Sequence, residues 1–211
     1  MKALLALLAD IANGLFAVVF AGLLTGTEVV WWHFLVGIPL AMCPDLDALP
    51  ELLRRGKVGA SGEHAHDHRE ALHYPVLFVL AGVAFAYFVP YWGWMFLAAT
   101  ILHFVNDFYG TGWGIPVLWP LTNRRYKLLG RRVNRLRTIL EANGDWDSIP
   151  EEERTLRLVV SWSHDELRDY IRKWGLDEWI GPYYLRLNWI SGIEYVLFLL
   201  SLIAAYITLV Y

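Results

Sequence analysis

Residues 74–108 read YPVLFVLAGVAFAYFVPYWGWMFLAATILHFVNDF, and their reading decides the fold. Two apolar runs, 74–89 and 94–108, flank the short stretch Pro90-Tyr91-Trp92-Gly93, which reads as a turn. No Lys or Arg interrupts either run. A helix needs roughly 20 apolar residues to cross a bilayer; the two runs are somewhat shorter, and as a pair around a short turn they are expected to form a transmembrane hairpin. The second run closes on His103-Phe104-Val105-Asn106-Asp107. A spacing of four places His103 and Asp107 on one helix face. Ionisable groups this close to hydrocarbon are costly, and their default reading is functional.

Three more apolar stretches lie outward from this hairpin: 3–24, 29–42 and 189–211. The 29–42 stretch is short, and either crosses with the help of a Trp31-Trp32 anchor or re-enters. Asp10 breaks the first stretch early, which argues for a retained helix rather than a cleaved signal peptide. The expected fold is therefore an all-α, multi-pass transmembrane bundle of five spans. Residues 1–120 form the bundle, 121–187 a cytoplasmic helical segment, and 188–211 the last span. Composition agrees: 56% of the 211 residues are hydrophobic, against about 45–50% in soluble domains.

Positive charge sets the direction. Lys2 precedes the first span, and Arg54, Arg55, Lys57 and Arg69 lie between spans two and three. Every other Lys and Arg lies between spans four and five. All of them fall on one side if the N-terminus is inside and the C-terminus outside. The net charge of −3 singles out no partner, and the single cysteine, Cys43, excludes an internal disulfide. Cys43 reads as a small apolar residue.

The segment after span four reads as a basic amphipathic helix. Tyr126, Leu129, Val133, Leu136 and Leu140 recur at helical spacing, ringed by Arg124, Arg125, Lys127, Arg131, Arg132, Arg135 and Arg137. Such a helix, spanning 124–137, is expected to lie on the membrane and attract anionic headgroups. Ser148-x-x-Glu151 and Ser163-x-x-Glu166 read as two further helix starts, the second ending at Gly175. His164 reads as a surface histidine.

With this topology, three motifs meet at the cytoplasmic face: Pro44-Asp45-Leu46-Asp47, the run from His64 to His73, and His103 to Asp107. Imidazole and carboxylate together suit a divalent metal. The candidate ligands are Asp45, Asp47, His68, His73, His103, Asp107 and Asp10, enough for one ion or two, with zinc first and manganese or iron as alternatives. Arg69 and Asp107 are the candidate catalytic residues. Arg69 suits a phosphate or carboxylate contact, or else an ion pair with Asp67 or with a ligand carboxylate. His64, His66, Glu194 and Asn13 are placed in the surroundings of the site, and His33 far from it.

The combination resembles the YdjM-like family of inner-membrane, metal-dependent hydrolases. Members carry Trp-Trp-His and then Pro-Asp-x-Asp, matched by Trp31-Trp32-His33 and Pro44-Asp45-Leu46-Asp47. Their His-Arg-Gly-x-Thr-His-Ser is matched by His68 to Tyr74, with Glu70 and Leu72 in place of Gly and Thr. Their His-x-x-x-Asp, Gly-containing loop and Leu-Trp-Pro are matched by His103 to Asp107, Gly110 to Gly114 and Leu118-Trp119-Pro120. The family's N-terminal histidine has no counterpart; Asp10 and Asn13 stand in that span.

The expected function is a metal-dependent hydrolase of the inner membrane, facing the cytoplasm and acting on a phosphoester such as a lipid headgroup or another small phosphorylated substrate. The alternative is a non-enzymatic metal-binding protein, a sensor or transporter; transport sites usually lie near the bilayer midplane. No His-Glu-x-x-His helix supports a protease, and beyond the basic segment nothing supports nucleic-acid binding.

Overall fold

The computed structural model describes the chain except residues 1, 62, 65–68, 70 and 71, with Lys2 and Ala3 described by backbone alone. The membrane-type part comprises α1 (Lys2–Ala6), α2 (Leu8–Thr25), α3 (Trp31–Ala41), α4 (Leu49–Arg55), α5 (Pro75–Phe88) and α6 (Pro90–Tyr109). There follow β1 (Arg125–Gly130), α7 (Arg137–Ala142), α8 (Glu151–Arg154), β2 (Arg157–Trp162), α9 (His164–Trp174), α10 (Ile180–Tyr184) and α11 (Trp189–Val210). A 3₁₀ turn, Cys43–Ala48, joins α3 to α4.

Each of the five apolar stretches folds as a helix. Among the described residues, Leu4–Thr25 and Trp189–Val210 are long and apolar enough to cross a membrane, while α3 and α5 are shorter apolar helices. α2 is the centre of the bundle, packed against α6, α3 and α11, and α5 covers α6 from the other side. The core between them is built from small and medium side chains, including Ala17, Val18, Ala21, Phe34, Ala41, Met95 and Ala99. Small residues let helix backbones approach, which is how helices associate in a lipid environment. Gly14 is the limiting case, because a Cβ there would collide with the backbone of α3 at Ile38. α11 is one-sided: Ile190, Ser191, Glu194, Ser201 and Ala205 face inward and Val196, Leu199 and Ile203 outward.

Pro90 to Gly93 do not form the expected turn. They are the first turn of α6, and Val89 is the cap residue between the two helices. Proline is well placed at the first helical position, where its missing N–H has no partner to lose.

Residues 124–136 do not form the expected helix, and only its end is helical, as α7 from Arg137 to Ala142. β1 pairs antiparallel with β2, with Arg125 opposite Trp162 and Lys127 opposite Val160. Leu129 adopts a φ of 51° within the strand, Gly130 still pairs with Arg157, and the chain then runs irregularly to α7. The arginines of the segment hold this path individually. Arg131 Nε donates to Arg154 O at 2.8 Å and Arg135 Nε to Trp174 O at 2.6 Å, while Arg132 pairs with Glu166 at 3.1 Å. Spacing alone does not show this, because the stripe Tyr126–Leu129–Val133 fits a helix until the Val-rich 157–162 segment offers a partner strand.

The Ser163 box forms as expected: Glu166 N donates to Ser163 Oγ at 3.3 Å and Ser163 N to Glu166 Oε2 at 2.8 Å, starting α9. The helix expected near Ser148 is only the single turn α8. Trp113, Val133, Leu140, Val160, Trp162, Leu167, Ile171 and Trp174 form a second core in this part of the chain, separate from the bundle's.

Candidate metal centre

Three elements bring the site together. The 3₁₀ turn after α3 carries Asp45 and Asp47, the residue two before α5 is His73, and the last turns of α6 carry His103 and Asp107. α2 supplies Asp10 from the centre of the bundle.

Both histidines are fully enclosed, with His73 0% and His103 3% exposed. Each has a carboxylate on its Nδ1. Asp47 Oδ2 lies 3.0 Å from His73 Nδ1 and also accepts from Leu72 N at 3.0 Å. Asp10 Oδ1 lies 2.8 Å from His103 Nδ1. This fixes the ring orientation and turns both Nε2 atoms toward one another's side of the site.

Two further carboxylates meet those Nε2 atoms. His73 Nε2 is 3.4 Å from Asp45 Oδ1 and 3.2 Å from Asp107 Oδ2. His103 Nε2 is 3.7 Å from Asp45 Oδ1 and 3.4 Å from Asp107 Oδ2. Ligand atoms 2.0–2.1 Å from a tetrahedral zinc stand about 3.3–3.4 Å apart, so these four distances are close to the edges of such a shell. Asp45, His73 and His103 each offer one atom to a point a metal ion could occupy. His103 Nε2 and Asp107 Oδ2 are buried without a hydrogen bond of good geometry. Buried polar atoms left this way are rare in native structures, and a cation at their meeting point resolves both.

Arg69 also reaches Asp107, its Nη2 2.7 Å from Asp107 Oδ1. Its guanidinium lies directly over Gly112, whose φ is +91° and which has no room for a Cβ. Gly112 O in turn accepts from Lys127 Nζ at 3.1 Å and from Asn134 Nδ2. Lys127 also donates to Asn134 Oδ1 at 2.7 Å, and Arg125 Nη2 donates to Arg69 O at 2.8 Å. β1 thus turns its cationic residues inward, with Arg125 and Lys127 buried and Leu129 41% exposed. Burial and the charge of Arg69 push the Lys127 ammonium down to about 7. Burial would also lower His73, but contacts with the carboxylates of Asp107, Asp45 and Asp47 lift it to about 10. Burial raises the Cys43 thiol to about 11, which keeps it protonated beside the site.

The other candidate residues fall elsewhere. His64 Nε2 is 3.7 Å from Glu51 of α4. His66, His68 and Asp67 lie outside the described residues. Asn13 is one helical turn from Asp10, with its Nδ2 buried and unpartnered. Glu194 is 2% exposed, near Gly110 at the end of α6, and is not among the converging atoms. His33 lies at the opposite end of the bundle, and His164 is exposed at the start of α9. Arg125, Lys127 and Asn134 were not singled out as site residues from sequence. Their signal, a strand with charge inward and leucine outward, is the reverse of the usual pattern.

A family model described as YdjM inner membrane protein matches residues 8–161, and the chain belongs to that family of inner-membrane proteins. No curated protein and no solved structure matches it.

Proposed function

We propose that this YdjM-family protein is a metal-dependent hydrolase of the inner membrane, acting at the cytoplasmic face on a phosphoester such as a lipid headgroup. The observation that carries the reading is the approach of Asp45 Oδ1 and Asp107 Oδ2 to both His73 Nε2 and His103 Nε2 at 3.2, 3.4, 3.4 and 3.7 Å, with Asp45, His73 and His103 placed so that they could hold one ion. In this reading those four atoms hold one ion, zinc before manganese or iron. Asp10 and Asp47 act through the histidines, holding ring orientation and raising ligand basicity. When bound, the ion polarises a phosphoryl oxygen and acidifies a water. Arg69 then supplies a fixed charge for the phosphate oxygens. The Asp45 side chain is 32% exposed, so substrate approaches from that side.

The topology that goes with this reading has five spans, α2, α3, α5, α6 and α11, with the N-terminus in the cytoplasm. Lysine and arginine on a single side support it. Arg124 and Arg137 keep 41% and 59% of their side chains exposed, and are the residues of the basic segment offered to anionic headgroups.

One observation favours a second reading. The four donors counted in that reading would fill a tetrahedral shell, whereas a catalytic zinc usually keeps one position open. A regulatory or sensing metal site has this closed shell.

Elemental analysis of detergent-purified protein, run beside a screen of phosphomonoesters and phospholipids, tests both. The hydrolase reading expects about one metal equivalent and turnover, both lost in His103→Ala/Asp107→Ala. Bound metal with no turnover across the screen favours the sensing site. Absence of metal, even after reloading with zinc, manganese or iron, overturns both.

A further inference from the structure

Residues 115–126 form a loop pinched at its base, where Ile115 N donates to Tyr126 O at 3.1 Å and Tyr126 N to Ile115 O at 2.9 Å. The tip is Val117-Leu118-Trp119-Pro120-Leu121. It is ordered by its own backbone: Trp119 N donates to Pro116 O at 3.0 Å and Leu121 N to Leu118 O at 2.9 Å. It is also apolar and outward-facing, with Leu121 89% and Leu118 47% exposed. No charged residue occurs from Ile115 to Asn123.

The position of this tip is fixed by one ring contact. Trp119 packs on Tyr74 with ring centroids 5.1 Å apart, and Tyr74 is the N-cap of α5. From there α5 presents Leu77, Leu80 and Val83 to its surroundings. The apolar tip therefore continues the outer face of an apolar helix at the level where that helix begins.

We propose that the 117–121 loop is a wedge inserted among the acyl chains of the leaflet from which α5 starts, and that its partner is the lipid of that leaflet. The inference rests on the reading of α5 as a membrane span. Large exposed apolar side chains on a rigid projecting tip are a marker of an interaction surface. Continuity with the α5 face, together with the lack of charge from 115 to 123, selects lipid over a protein partner. His73 stands next to Tyr74 in the chain, so an inserted wedge sets the metal centre at headgroup depth, where a lipid substrate reaches it laterally.

Single-cysteine labelling tests this. In a Cys43→Ala background, Leu121→Cys and, separately, Leu118→Cys carry an environment-sensitive fluorophore. The protein sits in nanodiscs of phosphatidylethanolamine and phosphatidylglycerol. Brominated acyl chains quench from the lipid and iodide from water. Leu199→Cys, on the exposed side of α11, is the lipid reference, and Asp147→Cys, with a 98% exposed side chain, the aqueous one. The wedge predicts that labels at 121 and 118 follow Leu199→Cys, quenched by bromolipid and protected from iodide. Labels at 121 and 118 that follow Asp147→Cys while 199 stays lipidic overturn the wedge alone. A 199 label in water overturns the membrane reading along with it. Labels at 121 and 118 reached by neither quencher mean that a second copy covers the tip, and the inference fails.

Discussion

The two ends of the helical bundle each bury a histidine among aromatic rings, and they do different things with it. At the end near the start of α3 and α6, His33 is 6% exposed. Its ring centroid lies 4.2 Å from Trp32, 4.8 Å from Tyr91 and 5.5 Å from Trp92, and its Nδ1 accepts from Val30 N at 3.3 Å. At the other end, His103 and His73 have a carboxylate behind each Nδ1 and two more carboxylates in front. The same helix, α6, carries Tyr91 at one end and His103 with Asp107 at the other. Burial alone therefore does not mark a metal ligand. The distinguishing feature is what stands at the ring nitrogens: a backbone amide meets His33 Nδ1, whereas carboxylates meet both nitrogens of His73 and of His103, an arrangement that could hold a cation.

Removing the ligand atoms should break the contrast most completely. His103→Ala/Asp107→Ala is expected to abolish metal retention in elemental analysis, while His33→Ala keeps the wild-type equivalent. Equal loss in both would erase the distinction between the two ends.

Weakening the atoms behind the ligands should have a graded effect. Asp10→Asn and Asp47→Asn leave the four converging atoms in place, and outer partners of this kind are worth about 10–100-fold in affinity. Chelator competition should show a loss in that range for each. Complete loss of metal in Asp10→Asn would instead make Asp10 a ligand.

Protons sharpen the comparison next. In the metal-free protein the folded-state value for His73 is raised to about 10 from an ordinary 6.5. Its contribution to stability is therefore fully present below pH 6.5 and is lost as pH rises toward about 10. A metal needs the neutral ring and releases that proton. Thermal midpoints of metal-free protein should fall across this window, and zinc affinity should rise across it. A pH-independent zinc affinity would mean that His73 is not bound through its ring.

Gly112→Ala is smaller in reach. A side chain there displaces the Arg69 guanidinium and leaves the four ligand atoms in position. Metal content is expected to stay at the wild-type level while turnover of a phosphoester falls, measured on the same preparation. The smallest effect is that of Tyr91→Phe at the far end. The Tyr91 hydroxyl is buried and unpartnered, so its removal is expected to leave metal content unchanged and to change the melting temperature little or upward.

Much of the end that carries His73 and His103 was legible in the sequence. The i, i+4 pair His103 and Asp107 follows from helical geometry, and Asp45 sits where an apolar run stops at Pro44. Asp10 was visible as a charge out of place in an apolar helix. Its role was not, because sequence spacing carries no information about which nitrogen of a histidine 93 positions away it will face. Lys127 and Arg125 were hidden for a different reason. Their spacing fits the polar side of an amphipathic helix equally well, and only pairing with 157–162 turns them inward.

By itself, the sequence determined the apolar helices, their capping signals such as Ser163 with Glu166, and the exclusion of Lys and Arg from the apolar stretches. These are properties of composition and of spacings within a turn or two, and solvent partitioning acts on them locally. The tertiary structure alone decided the division of carboxylates into those behind the imidazoles and those in front, the strand pairing of 125–130, and the seat of Arg69 over Gly112. Each of these depends on atoms brought within 4 Å from distant parts of the chain, and hydrogen bonding and Coulomb attraction discriminate only at that range.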